Sequence, residues 1–258
     1  MNIMSHPAAL DPLSHPQVFR LKPATKAPPA AFPLGLGVEG VHEVCEASFG
    51  DMAALTGFAL AGFALAAAKP RKGAIAWVRQ QALAFDHGHI LNAGTHALTA
   101  HRPPILNITT RKLSDTLWAT EEAIRAGAVS LVIAELQAAD FTASRRLSLA
   151  ASRHGVPVIL LMPYTRQGST ASAARWRVSS LASAPNRYDP RAPGDTRWHA
   201  VLERCRRAPD MCGHSFNLEL NDETLSLRVA AGLAAHPPKA QLAGPQDRQD
   251  ATPLQQSA

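Results

Sequence analysis

Residues 41 to 65 constrain the fold most. VHEVCE is an apolar run of strand length, ASFGD is a turn containing Gly, and MAALTGFALAGFAL is apolar on every side. A helix that is hydrophobic all round must be buried. A strand, turn and helix of this kind open the domains in which G-x-x-x-x-G-K-[ST] wraps backbone N–H groups around phosphates, while its Lys neutralises them and its hydroxyl holds Mg²⁺. Neither Gly-Lys-Ser nor Gly-Lys-Thr occurs in the 258 residues. The chain thus predicts a phosphate-loop architecture that lacks its central cation.

The apolar run of the helix, Leu55 to Ala68, is shorter than the roughly 18 residues that mark a membrane span and is rich in Ala and Gly. The opening residues lack a basic stretch followed by an apolar one, so no secretory signal is expected and the location is read as cytoplasmic. Cys45, Cys205 and Cys212 are odd in number and unhelpfully spaced, which predicts free thiols. Cys205, Cys212 and His214 lack the fourth ligand and the CxxC spacing of a zinc site. Asp86, His87 and His89 cluster in a loop with no further ligand, so neither metal nor cofactor is expected.

Positive charge is concentrated rather than spread. From Arg145 to Arg207 the sequence holds twelve Arg, no Lys and three acids, against a net charge of +6 for the whole chain. The remainder is therefore net acidic. Arg alone, interleaved with Trp176, Tyr188 and Trp198, suits forked contacts to phosphate, stacking on bases, or an acidic partner surface. A solvated Arg-rich face is the competing reading.

Three regions follow from composition. Residues 1–36 carry seven prolines and little periodicity, which predicts an extended arm. Residues 236–258 are rich in Pro and Gln and predict a disordered tail. Between them, residues 37–235 alternate strand-like and helix-like runs: VHEVCE, the apolar helix, GAIAWV, ILNITT, a helix over 115–126, SLVIAEL, a helix over 142–155, and VPVILLM. Ser114 reads as the N-cap of the first amphipathic helix and Gly127 as its end. Leu147, Leu149 and Ala150 of the second are expected to face a sheet, Glu121 and Glu122 to be solvated, and Trp118 to pack with Leu117. Apolar strands separated by helices predict a mostly parallel sheet flanked by helices. After Met162, ARWRVSSL, TRWHAVLERC, SFNLEL and TLSLRV alternate polar and apolar residues, which predicts a C-terminal antiparallel β extension.

DTLWATEEAIRAGAVSLVIAEL (115–136) followed by TASRRLSLAASRHGVPVILL (142–161) resembles the bacterial damage-inducible mutagenesis proteins of the ImuA type, which are RecA-like and related to SulA. GVEGVHEVCEASFGDMAALTGFAL (37–60), GAIAWV, ARWRVSSL and RWHAVLER support the likeness, which covers about residues 33–230 in order. The resemblance implies a RecA-like phosphate-loop fold and a non-catalytic accessory role in SOS-induced translesion DNA synthesis. An inactive Y-family polymerase-like protein of the ImuB type is the implied partner, with RecA and single-stranded DNA as further contacts and no membrane. A SulA-like inhibitor of cell division is the alternative, as is a RecA-like ATPase with a divergent loop using Lys69 or Lys72.

Set against a working phosphate loop, the turn offers Gly50, Asp51 and Met52. Met52 or a neighbour stands where Lys would be, and Asp51 adds a negative charge where phosphate would lie. Glu135, closing SLVIAEL, stands where related proteins keep a metal-binding acid. The resemblance also places a DNA-contacting loop near Thr165 to Ala174. Arg166, Arg175, Trp176 and Arg177 beside it, with Arg204, Arg206 and Arg207, form the candidate nucleic-acid or partner-binding set.

Overall fold

A computed structural model describes residues 34–66, 73–99, 102–189, 191–221 and 226–229. The order begins β1 (Val41–Glu46), α1 (Met52–Ala66), β2 (Ala74–Gln80), α2 (Gln81–His87), α3 (Asn92–Ala97), β3 (Ile105–Thr110) and α4 (Leu113–Ala126). It continues β4 (Val129–Glu135), α5 (Phe141–His154), β5 (Val158–Met162), β6 (Ala174–Leu181), β7 (Thr196–Cys205), β8 (Ser215–Asn221) and β9 (Ser226–Val229).

All nine strands form one sheet in the order β3-β2-β4-β5-β1-β6-β7-β8-β9. Neighbours from β3 to β6 are parallel, and β6 to β9 are antiparallel. Residues in β1, β4 and β5 are buried throughout, as strands covered on both faces must be. β3 lies at the parallel edge and is half exposed. The sequence pattern places Ala174–Leu181 in the antiparallel extension, yet it pairs parallel with β1, His42 opposite Ala174 and Glu46 opposite Val178. Its alternation arises because Trp176 and Val178 enter the core under α1, whereas Arg175 and Arg177 point to the opposite face, where they reach the Glu43 carboxylate and the Glu46 carbonyl.

Two cores lie on the two faces. One joins Leu55, Phe58 and Leu60 of α1 to Trp77, Ile133, Trp176, Trp198 and Leu218, with Ile90 and Leu98 from the α2–α3 region against it. The other joins Ile124 of α4 and Leu147 of α5 to Val78, Val132 and Leu160. The glycines of α1 are explained by crowding. A Cβ on Gly57 would stand 2.7 Å from Trp198 Cζ2, and one on Gly62 would stand 2.5 Å from Leu36 Cδ2. The helix is thus clasped between the sheet and Leu36, so the end of the segment read as an arm belongs to the core. The rest of that arm and the tail lie outside the described residues.

Local boundaries shift where capping chemistry differs from the pattern. α4 begins at Leu113, before Ser114, and ends at Gly127 with φ 64°. α5 is capped by Asp140, whose carboxylate accepts from Ala143 N at 2.6 Å. Ser144, Leu147 and Ala151 face inward, whereas Leu149 is exposed. Glu121 is buried rather than solvated, because Arg125 and Arg146 both donate to it. Trp118 does not pack with Leu117 into the core but stands largely in solvent.

Candidate functional site

The β1–α1 turn and the carboxyl end of β4 meet on the α1 face of the sheet. A cavity of about 320 Å³ opens there, lined by Met52, Thr56 and Leu60 of α1, by His89 and Ile90 between α2 and α3, and by Arg79 and Glu135. Met52 is buried, so an apolar side chain occupies the first helical position. Gly50 has φ 101°, a backbone conformation that side-chain-bearing residues rarely adopt, although a Cβ there would meet only open space. The Asp51 carboxylate folds back into this turn and accepts from Ser48 N at 3.0 Å, Ser48 Oγ at 2.8 Å and Ser180 N at 3.2 Å. It ties the turn to the end of β6.

Glu135 is fully engaged. Arg79 and Glu135 are register partners on β2 and β4, and both side chains are buried. Arg79 Nη2 lies 2.9 Å from each carboxylate oxygen, and Trp77 Nε1 donates to Oε1 at 2.6 Å. The guanidinium thus holds the position that a cation would take against this acid. Glu46, buried at the end of β1, has its pKa raised by desolvation, with His87 and the backbone of Tyr164 and Gly50 opposing the shift. Above it, Phe49 (68% exposed) approaches His87 and Tyr164, with ring centroids 5.7 and 6.4 Å apart.

Three of the candidate arginines lie on the opposite face, Arg166 and Arg175 around Glu43 of β1 and Arg177 beside them. Glu43 is fully buried and accepts from Arg175 Nε at 2.6 Å, Arg166 Nη2 at 3.2 Å, Thr170 Oγ1 at 2.6 Å and Ser172 Oγ at 3.3 Å. Arg166 also donates to Ser169 O, and Arg175 to Gly168 O. Arg177 pairs with Glu203 and donates to the carbonyls of Glu46, Tyr164 and Arg166. These three arginines latch the β5–β6 loop onto the sheet. Trp176 is buried between Phe58 and Phe216, at centroid distances of 5.6 and 5.8 Å, so it cannot stack on a base. Arg204 is exposed, Arg206 donates to Ala171 O at 2.6 Å, and Arg207 pairs with Glu39.

Met52 and Glu135 therefore share one cavity, with Gly50 and Asp51 in the adjoining turn. Arg166, Arg175 and Arg177 form a separate cluster, and Arg204, Arg206 and Arg207 lie at and beyond the end of β7. Arg79, Trp77 and Glu43 escaped sequence reading. Their signal was present: a charge at the same end of two apolar strands, and an acid within a third, each need a buried partner. Among the described residues no group of three or more His, Cys, Asp or Glu could hold a metal. No helix among them is long and apolar enough to cross a membrane.

A mostly parallel sheet with helices on both faces, the β1–α1 turn opposite a buried acid on β4, and an antiparallel extension beyond β6 define a RecA-like α/β protein. No family model matches the chain. Two proteins called ImuA, from two strains of Caulobacter vibrioides, are each 34% identical to it over 186 residues, covering 67% of this chain and 72% of theirs. The chain belongs to the ImuA family.

Proposed function

We propose that this protein is a non-catalytic accessory factor of damage-inducible mutagenesis. Its RecA-like body serves as an adaptor for a polymerase-like partner of the ImuB type in translesion DNA synthesis. The observation that carries this reading is the internal occupation of the phosphate-loop site. Arg79 lies against Glu135 and Met52 stands in place of a lysine. Asp51 presents a carboxylate to the turn that would receive phosphate. A divalent ion at Glu135 would have to displace a buried guanidinium, and breaking such a pair costs about 3–5 kcal/mol. An apolar side chain in place of a cation forfeits about 1.5–3 kcal/mol of charge-assisted bonding to phosphate. The site is thus a degenerate nucleotide pocket kept as a scaffold.

Co-purification of the full chain with the polymerase-like protein tests the reading. A stable complex is expected, and two folded proteins that fail to associate would overturn it. A contact with single-stranded DNA, or with RecA on it, is the second reading. It is favoured by Phe49 and Tyr164, exposed side by side at the carboxyl rim of the parallel sheet.

A further inference from the structure

Glu46 stands two residues beyond Val44 at the end of β1, and so points to the α1 face of the sheet. It is fully buried, yet neither carboxylate oxygen has a hydrogen-bond partner. The N–H groups of Tyr164 and Gly50 lie near enough to favour its ionised form without completing a bond. The other buried acids of the described strands are all paired, Glu43 with Arg166 and Arg175, Glu135 with Arg79, and Glu219 with Arg197. A buried carboxylate left without a partner costs stability, so its presence calls for a group from outside the chain.

The surroundings select a cation. Over Glu46 stand Phe49, 68% exposed, and Tyr164, 46% exposed, with His87 also against Phe49. Asp51 in the turn adds a second negative charge and is bonded only to neutral donors. Arg177 of β6 is spent on Glu203 and on the carbonyls of Glu46, Tyr164 and Arg166, and Arg79 is spent on Glu135. His87 of α2 lies within electrostatic reach of Glu46 but makes no hydrogen bond to it. The rim thus carries two carboxylates with one imidazole to set against them. Exposed rings over a carboxylate hold a guanidinium or ammonium through their faces and through the charge beneath. Phosphate is disfavoured at the same place by both acids.

We propose that the rim formed by Phe49, Tyr164 and Glu46 receives one arginine or lysine side chain of a protein partner. The cation lies against the two rings and offsets the charge of Glu46 below them. Because the carboxylate is covered, the two charges meet through apolar surroundings rather than through water, which strengthens their attraction. The proposal rests on the reading that the chain acts by binding a protein, and it assigns Phe49 and Tyr164 to that partner rather than to DNA.

The test is calorimetry of the full chain with the polymerase-like protein at low and high salt, with Glu46→Gln and Phe49→Ala beside wild type and an oligothymidylate as the alternative ligand. Glu46→Gln is expected to weaken the complex by about tenfold or more while raising Tm, a combination that a structural role cannot produce. It should also leave the complex less sensitive to salt than wild type. Phe49→Ala, at an exposed position, is expected to weaken binding several-fold. Wild type that binds while both variants bind equally well overturns the cation site and leaves the adaptor reading intact. Wild type that binds no partner overturns both. Weakening by Phe49→Ala alone reduces the rim to an apolar contact and overturns the cation. Loss of oligothymidylate binding in Phe49→Ala, with the protein complex unchanged, reassigns the rim to nucleic acid.

Discussion

Replacing Glu43 by Gln should destabilise the protein without touching any exposed surface. Glu43 is the sole acid in its buried cluster and faces two buried guanidiniums and two hydroxyl donors. Gln keeps the shape but supplies one acceptor oxygen, and its amide turns donors towards Arg166 or Arg175. Removing one partner of a buried ion pair costs about 3–5 kcal/mol, because the remaining charge stays desolvated. The isosteric change places the expectation near the lower bound, about 3 kcal/mol. In a protein of this size each kcal/mol lowers Tm by roughly 2–4 °C, so a fall of roughly 6–12 °C is expected. The β5–β6 loop, held through Arg166 and Arg175, should also become more open to proteolysis. Thermal and urea unfolding by circular dichroism, with limited proteolysis, measure both effects. A loss below about 0.5 kcal/mol, the scale of an ordinary surface substitution, would refute the claim that these arginines are structural.

Three further expectations follow from the packing. Burial lowers the pKa of His42 from 6.5 to about 4. The folded state therefore binds fewer protons than the unfolded one, and this contribution is complete above pH 6.5 and lost as pH falls towards 4. A shift of that size is worth about 3 kcal/mol, so His42→Gln should flatten the stability profile between those limits; an unchanged profile would contradict it. Glu46 has the opposite sign: its raised pKa makes the ionised form a burden at neutral pH. Glu46→Gln should raise Tm at pH 7, with the gain closing as pH falls into the ordinary carboxylate range. Gly57→Ala, which forces a Cβ to within 2.7 Å of Trp198, should cost about 1–3 kcal/mol by overpacking, although alanine is the better helix former; a stabilised variant would show that Trp198 yields freely.

The central architecture was legible because its signals are one-dimensional. VHEVCE, SLVIAEL and VPVILLM are apolar on both faces, and both faces of these strands are covered. Gly127 ends α4 where a left-handed residue is needed. What the sequence could not reveal were pairings across the sheet. Glu135 looks like a lone acid until register sets Arg79 opposite it. Arg166, Arg175 and Arg177 look like a basic surface until β6 is seen to lie beside β1, which brings them to Glu43 and to the loop carbonyls. The parallel pairing of β6 was hidden for the same reason, since half-polar alternation is the usual mark of an antiparallel strand. Trp118 and Leu149 were misplaced because helical periodicity assigns large apolar residues inward, and only the packed helices reveal that these two stand largely in solvent.

The claim that the phosphate-loop site is closed by the chain's own groups is tested most directly by titrating the protein with ATP and Mg²⁺ and following Tm and heat of binding. A ligand present at a hundred times its Kd stabilises the folded state by about 2.7 kcal/mol, an increase in Tm of roughly 5–11 °C here. With Arg79 on Glu135 and Met52 and Asp51 at the turn, millimolar nucleotide should leave Tm unchanged within about 1 °C and release no binding heat. Saturable binding with a micromolar Kd would contradict the account.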